Sequence, residues 1–179
     1  MVARLLLAGL VVLGLAGPAA AQTENLQLFR AVQREVLRYP FFTIFDSVQA
    51  QVHDGAVVLT GKVTMPFKRE ALEKRVGRVD GVARVENRID VLPVSQFDDD
   101  LRFRIARAIY SNPSFRPFAM MANPPIHVIV ERGRVTLEGV VLNDVDRMIA
   151  QSIAAPFLSF ELRNELKTER EVKDALEKL

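Results

Sequence analysis

The chain of 179 residues has no cysteine and only two histidines. The first absence excludes disulfides, thiol nucleophiles and thiolate metal sites. The histidines, His53 and His127, fall at different places in the internal pattern described below. They therefore form no repeated site, and no spacing of Asp or Glu completes a zinc ligand set around either. Charge of one sign is not in excess either, with 24 basic against 22 acidic side chains. A nucleic-acid partner would call for a strongly basic face. Long apolar runs are missing after the N-terminus. There, Arg4 is the only charge, residues 5–15 are apolar, Gly17-Pro18 breaks any helix and Ala19-Ala20-Ala21 offers small residues. This predicts a signal peptide over 1–21, cleaved after Ala21, and a periplasmic or secreted product. The competing reading is an uncleaved anchor, for which residues 5–21 sit at the short edge of the roughly 17–25 residues that span a bilayer. Loss of the segment with Arg4 leaves 23 basic and 22 acidic side chains, a formal charge of +1. Without disulfides, such a chain has to be held together by its cores.

What is present occurs twice. Val52-His53-Asp54-Gly55-Ala56-Val57-Val58-Leu59-Thr60-Gly61 returns as Val130-Glu131-Arg132-Gly133-Arg134-Val135-Thr136-Leu137-Glu138-Gly139. Downstream, Val85-Glu86-Asn87-Arg88-Ile89 answers Leu162-Arg163-Asn164-Glu165-Leu166, and upstream Val36 to Pro40 answers Ile109 to Pro113. A duplicated unit has to be explained as a unit, which points to two small domains.

Periodicity gives each unit the order helix–strand–strand–helix–strand. Leu28, Phe29, Val32 and Val36 recur at helical spacing, and Tyr39-Pro40 ends that helix. Val48, Ala50 and Val52 alternate with polar residues, Asp54-Gly55 is a two-residue hairpin turn, and Val57 and Leu59 continue the buried parity. Leu72, Val76 and Val79 form a narrow helical stripe behind Pro66, and a strand follows Gly81. In the second unit the helix stripe is Leu101, Ile105 and Ile109, with Asp98-Asp99-Asp100 at its start serving the helix dipole. A helix capped by Asn143 carries Val145, Ile149 and Ile153, and Phe160, Leu162, Asn164 and Leu166 line one face of the last strand. The residues Thr168-Glu169-Arg170-Glu171 read as a capping box opening a C-terminal amphipathic helix. The expected fold is α+β: two tandem small domains, each with its helices on one face of a three-stranded mixed sheet. The expected boundaries are 22–93 and 98–167, a linker at 94–97 and a last helix over 168–179.

These residues together resemble the BON domain family, in tandem. The resemblance rests on Gly55, Gly61, Gly81-Val82 and Val85-Glu86-Asn87 in the first copy, and on Gly133, Gly139 and Leu162-Arg163-Asn164 in the second. The second copy has Phe157-Leu158 where the Gly-Val pair is expected. The resemblance implies an exported bacterial envelope protein, linked to envelope integrity and osmotic-stress tolerance, that binds phospholipid surfaces. In some tandem members the second copy makes that contact through its first helix. Carried here by position, this implies Phe103, Arg104, Arg107 and Tyr110.

No nucleophile motif and no cofactor signature is visible, so a non-enzymatic binding module is expected. Gly55, Gly61, Gly133 and Gly139 are read as structural, as are Asn87 and Asn164, whose amides would tie down neighbouring backbone. The candidate binding residues continue from the helix into a loop that is about five residues longer than its counterpart. This loop holds Phe115, Arg116, Phe118, Met120 and Met121. Met and Phe suit adaptable apolar contacts, and basic with aromatic side chains suit anionic headgroups. The bland alternative is that Phe and Met cover the domain's own core, the reading also given to Phe41 to Phe45. Two partners follow: an anionic phospholipid surface, or an envelope protein docking on the Phe/Met loop or the C-terminal helix. An RNA partner is disfavoured by export and by the lack of a Gly-x-x-Gly clamp.

Overall fold

A computed structural model of the chain describes residues 19–177. The leader read in the sequence over 1–21 thus lies largely outside the described residues. Two compact units emerge, one centred on residues 46–92 and one on 93–172.

The first unit comprises α1 (Ala19–Leu37), β1 (Ser47–His53), β2 (Ala56–Val63), α2 (Pro66–Val76) and β3 (Arg84–Val91). β1 and β2 are an antiparallel hairpin, and β3 joins β2 in parallel, giving a mixed sheet of order β1-β2-β3. The parallel step is what a crossover helix permits. Phe29, Val32 and Val36 of α1 and Leu72 and Val76 of α2 pack with Val48, Val57, Leu59, Val63 and Ile89. This is the alternation expected of a sheet with one covered face.

The second unit repeats the plan with α3 (Gln96–Ser111), β4 (Ile126–Glu131), β5 (Arg134–Val141), α4 (Asp144–Ala154) and β6 (Glu161–Asn164). A further pair of residues, β7 (Lys167–Thr168), runs parallel to β5 beyond β6, making this sheet four-stranded in place of the expected three. The chain continues into α5 (Glu169–Glu177). Thr168 Oγ1 accepts from the Glu171 amide at 3.2 Å and the Glu171 carboxylate accepts from the Thr168 amide at 2.7 Å. That reciprocal pair is a complete capping box.

Four local expectations are corrected. α3 starts at Gln96 with Ser95 as its cap, so the expected linker at 94–97 is partly helical. On α4, Ile149 and Ile153 pack on the core as expected, but Val145 is 57% exposed, and the fully buried residues are Ala150 and Ala154. Phe160 lies outside the core at 84% exposure, its ring against Gly133. The run from Phe41 to Phe45 is not one core segment. Phe42 is buried in the first unit and Phe41 is exposed, whereas Thr43–Phe45 belongs by its contacts to the second unit. There Ile44 and Phe45 pack on the core, and the Ile44 carbonyl accepts from the Val128 amide at 2.8 Å.

Candidate functional site

Both turns and both sheet seams are built by the same devices. At the hairpin tips, Asp54 and Gly55, and equally Arg132 and Gly133, have positive φ, the backbone of a two-residue turn. Each turn is held by a side chain of the preceding helix. Asn25 accepts from the Asp54 amide at 3.1 Å. Asp98 accepts from both the Arg132 and the Gly133 amides, at 2.8 and 2.7 Å. The buried Asp98 carboxylate is therefore a clamp on the turn, and helix-dipole chemistry is not its main role. Behind the turns, a Cβ on Gly61 or Gly139 would collide with the backbone carbonyl of Ser47 or Pro125, and both residues have positive φ. Only glycine fits there.

The two asparagines make one network twice. The Asn87 amide donates to the Arg69 carbonyl and the Glu73 carboxylate, and its oxygen accepts from the Ile89 amide. Asn164 donates to the Arg147 carbonyl and the Gln151 side chain, and accepts from Leu166. Each ties the last strand to the second helix of its unit.

The candidate binding residues separate into two groups. Phe115 is 1% exposed and belongs to the core. Tyr110 is partly buried, its hydroxyl donating to the Ile126 carbonyl at 2.7 Å and accepting from the Ile126 amide at 2.9 Å. Burial pushes its phenol well above the usual range, against the opposing pull of the Ile126 hydrogen bond. Phe115 is closed to a ligand by packing, whereas Tyr110 is only partly buried and has its hydroxyl engaged by the Ile126 backbone. Phe118 also packs partly on the core, beside Ile44 and Phe45.

The rest face outward. Asp100, Phe103, Arg104, Arg107 and Ser111 form the solvent stripe of α3. Phe103 is 59% exposed and meets the Phe45 ring edge-on at 4.8 Å. The Arg104 guanidinium lies over the Phe157 ring, 5.4 Å from its centre. Arg116 opens a short 3-10 turn with Pro117 and Phe118, after which Met120 is 92% and Met121 38% exposed. Sequence reasoning missed a second apolar group, Phe97, Leu158 and Phe160, all more than half exposed, with Phe97 and Phe160 against Gly133. Among the described residues there is no cluster of three or more His, Asp or Glu placed to hold a metal, and no helix long and apolar enough to cross a membrane.

Two mixed-sheet units with repeated turn glycines and seam asparagines define a tandem small-domain protein. Residues 27–93 and 97–159 each match the BON domain, so the chain belongs to the BON domain family, a family of non-catalytic binding modules. No curated protein matches. Among solved structures, the chain is similar to the C-terminal domain of CdsD, a structural protein of the type III secretion system of Chlamydia trachomatis. The identity is 16%, over 86% of this chain and 67% of that one, with a TM-score of 0.29. A second CdsD structure matches at 13% identity over 83% of this chain and 96% of that one, again with a TM-score of 0.29. Likeness at that level bears on nothing that follows.

Proposed function

We propose that this protein is an exported, periplasmic envelope component that docks peripherally on anionic phospholipid through its second BON domain. In that reading it supports envelope integrity under osmotic stress. The supporting observation is the solvent stripe of α3, where exposed Phe103 stands beside two exposed guanidiniums, Arg104 and Arg107. Neither arginine is in ion-pair range of a carboxylate among the described residues. Arg104 and Arg107 engage headgroups, Phe103 inserts shallowly, and Met120 with Met121 adds apolar contact from the loop. Phe115 takes no part, since it is buried in the core, and Tyr110 contributes at most the exposed part of its ring, its hydroxyl being engaged by Ile126.

The test is co-sedimentation of the chain with anionic and zwitterionic vesicles at low and high salt. Binding to the anionic vesicles is expected to weaken with salt and to fall at least tenfold (about 1.4 kcal/mol) in Arg104→Glu/Arg107→Glu. Equal binding by wild type and variant, or none by either, removes the lipid reading. The exposed Met120 and Met121 loop would then be a protein-docking surface, the envelope-protein alternative.

A further inference from the structure

The first unit carries an open groove of about 580 Å³ between α1 and α2, lined by Arg34, Arg38, Arg75 and Arg78 with Glu35 and Asp80. Four guanidiniums against two carboxylates leave the lining with two positive charges in excess. Glu35 serves two of the arginines at the outer limit of an ion pair, 4.0 Å to Arg38 and 3.9 Å to Arg75. Arg34 and Arg78 are in ion-pair range of no carboxylate among the described residues. Arg34 and Arg38, one helical turn apart, repel each other. The two helix C-termini offset part of that cost, because cations are favoured there. They do not explain why both ends turn their arginines into one concave space.

One member of the group is already held in place. The Arg75 side chain is about two-thirds buried, its guanidinium lying 5.3 Å from the centre of the Tyr39 ring. A stacked guanidinium keeps its N–H fork directed, which lowers the ordering cost of binding. The second unit keeps only one of these charges. At the positions matching Arg34, Glu35, Arg38 and Arg75 it carries Arg107, Ala108, Ser111 and Ile153. The cluster, though not each of its members, is therefore a property of this groove.

We propose that this groove is a binding site for a dianionic phosphate group, held by the planar forks of Arg34, Arg75 and Arg78 with Arg38 at the rim. Two net positive charges match two negative ones, and guanidinium binds phosphate oxygens in bidentate geometry. The group can be carried by a soluble phosphate monoester or by a monoester lipid headgroup such as phosphatidic acid. This site is separate from the α3 stripe and stands or falls independently of it.

The test is NMR of the arginine side-chain N–H groups of the full chain, titrated with inorganic phosphate at pH 7.5 against chloride of equal ionic strength. Saturable shifts confined to the groove arginines are expected, and about tenfold weaker binding in Arg34→Gln/Arg78→Gln, whose replaced side chains are exposed. Shifts that match chloride, fail to saturate, or persist unchanged in the double variant overturn the proposal: the arginines then serve only the helix ends. The source is separated in the Arg104→Glu/Arg107→Glu background with phosphatidic acid vesicles, phosphatidylcholine vesicles serving as control. Broadening of the groove signals by phosphatidic acid, reversed by inorganic phosphate, assigns the headgroup. Saturation by inorganic phosphate with no vesicle effect assigns the soluble monoester.

Discussion

Where the first unit buries Phe29, the second buries Arg102, whose guanidinium donates to the Val130 carbonyl at 3.0 Å and pairs with Asp99 at 3.1 Å. Where the first unit buries Lys68 against Asp46 at 2.7 Å, the second has the partly exposed Asp146. Yet hairpin turns, glycine contacts and asparagine seams coincide in both. The comparison teaches that the repeat is defined by its backbone devices. Buried charge and helix surface have been free to diverge, which is why the solvent stripe of α3 and the arginine groove of α1 and α2 share only the Arg34/Arg107 position between the units.

The largest expected effect breaks the comparison. Lys68→Met removes the buried ammonium 2.7 Å from the fully buried Asp46 carboxylate and should destabilise the first unit by about 3–5 kcal/mol. The matching change, Asp146→Met, should cost the second unit below about 1 kcal/mol; urea unfolding with a probe in each unit separates the two. The next effect restores the comparison. Gly61→Ala and Gly139→Ala should each cost about 3 kcal/mol or more in their own unit, because both meet a backbone carbonyl at positive φ. A cost near zero at either would mean that the tight hairpin entry is not built as described.

Smaller effects sharpen the contrast. Asp98→Ala frees two turn amides and should cost about 2 kcal/mol, against about 1 kcal/mol for Asn25→Ala, which frees one. Equal costs would show that the charge of the clamp adds nothing. Last comes Tyr110. Its folded-state pKa is raised above the ordinary 10.0, so its contribution to stability is intact below that pH. It is lost as the pH climbs from 10.0 towards the folded value. Tyr110→Phe should lower stability at neutral pH by about 1 kcal/mol and flatten the alkaline decline of the second unit. Tyr39, whose phenol burial also raises, makes the corresponding contribution in the first unit.

The order of elements was legible because each rests on local rules. Alternation over Val48 to Val52, the Asp54-Gly55 turn and the Thr168/Glu171 capping box each follow from neighbours a few residues apart. The misreadings came from partners far away in the chain. Asp98 looked like a helix-start acid because the amides it binds lie 34 and 35 residues on. Phe115 and Tyr110 looked available because their loop and helix are rich in aromatic and basic residues, a composition that does not reveal depth. The arginine groove escaped notice because Arg34 and Arg75 are separated by the whole hairpin. Each looks like an ordinary solvated charge on its own helix.

Ile44 has a consequence for how the chain is made. β4 ends its sheet, where an unpaired backbone group would invite other strands. Tyr110 holds the Ile126 amide and carbonyl, Arg102 holds the Val130 carbonyl, and the Ile44 carbonyl holds the Val128 amide. Ile44 leaves the ribosome well before Val128 exists, so the first half of a growing chain must carry two apolar side chains, Ile44 and Phe45, with nowhere to put them. A protein cut at residue 93 would keep that predicament permanently, and its missing half would lack the acceptor for the Val128 amide. Completion of the second sheet thus waits on a tripeptide synthesised long before it, and interrupted synthesis is the state in which this protein is most exposed to aggregation.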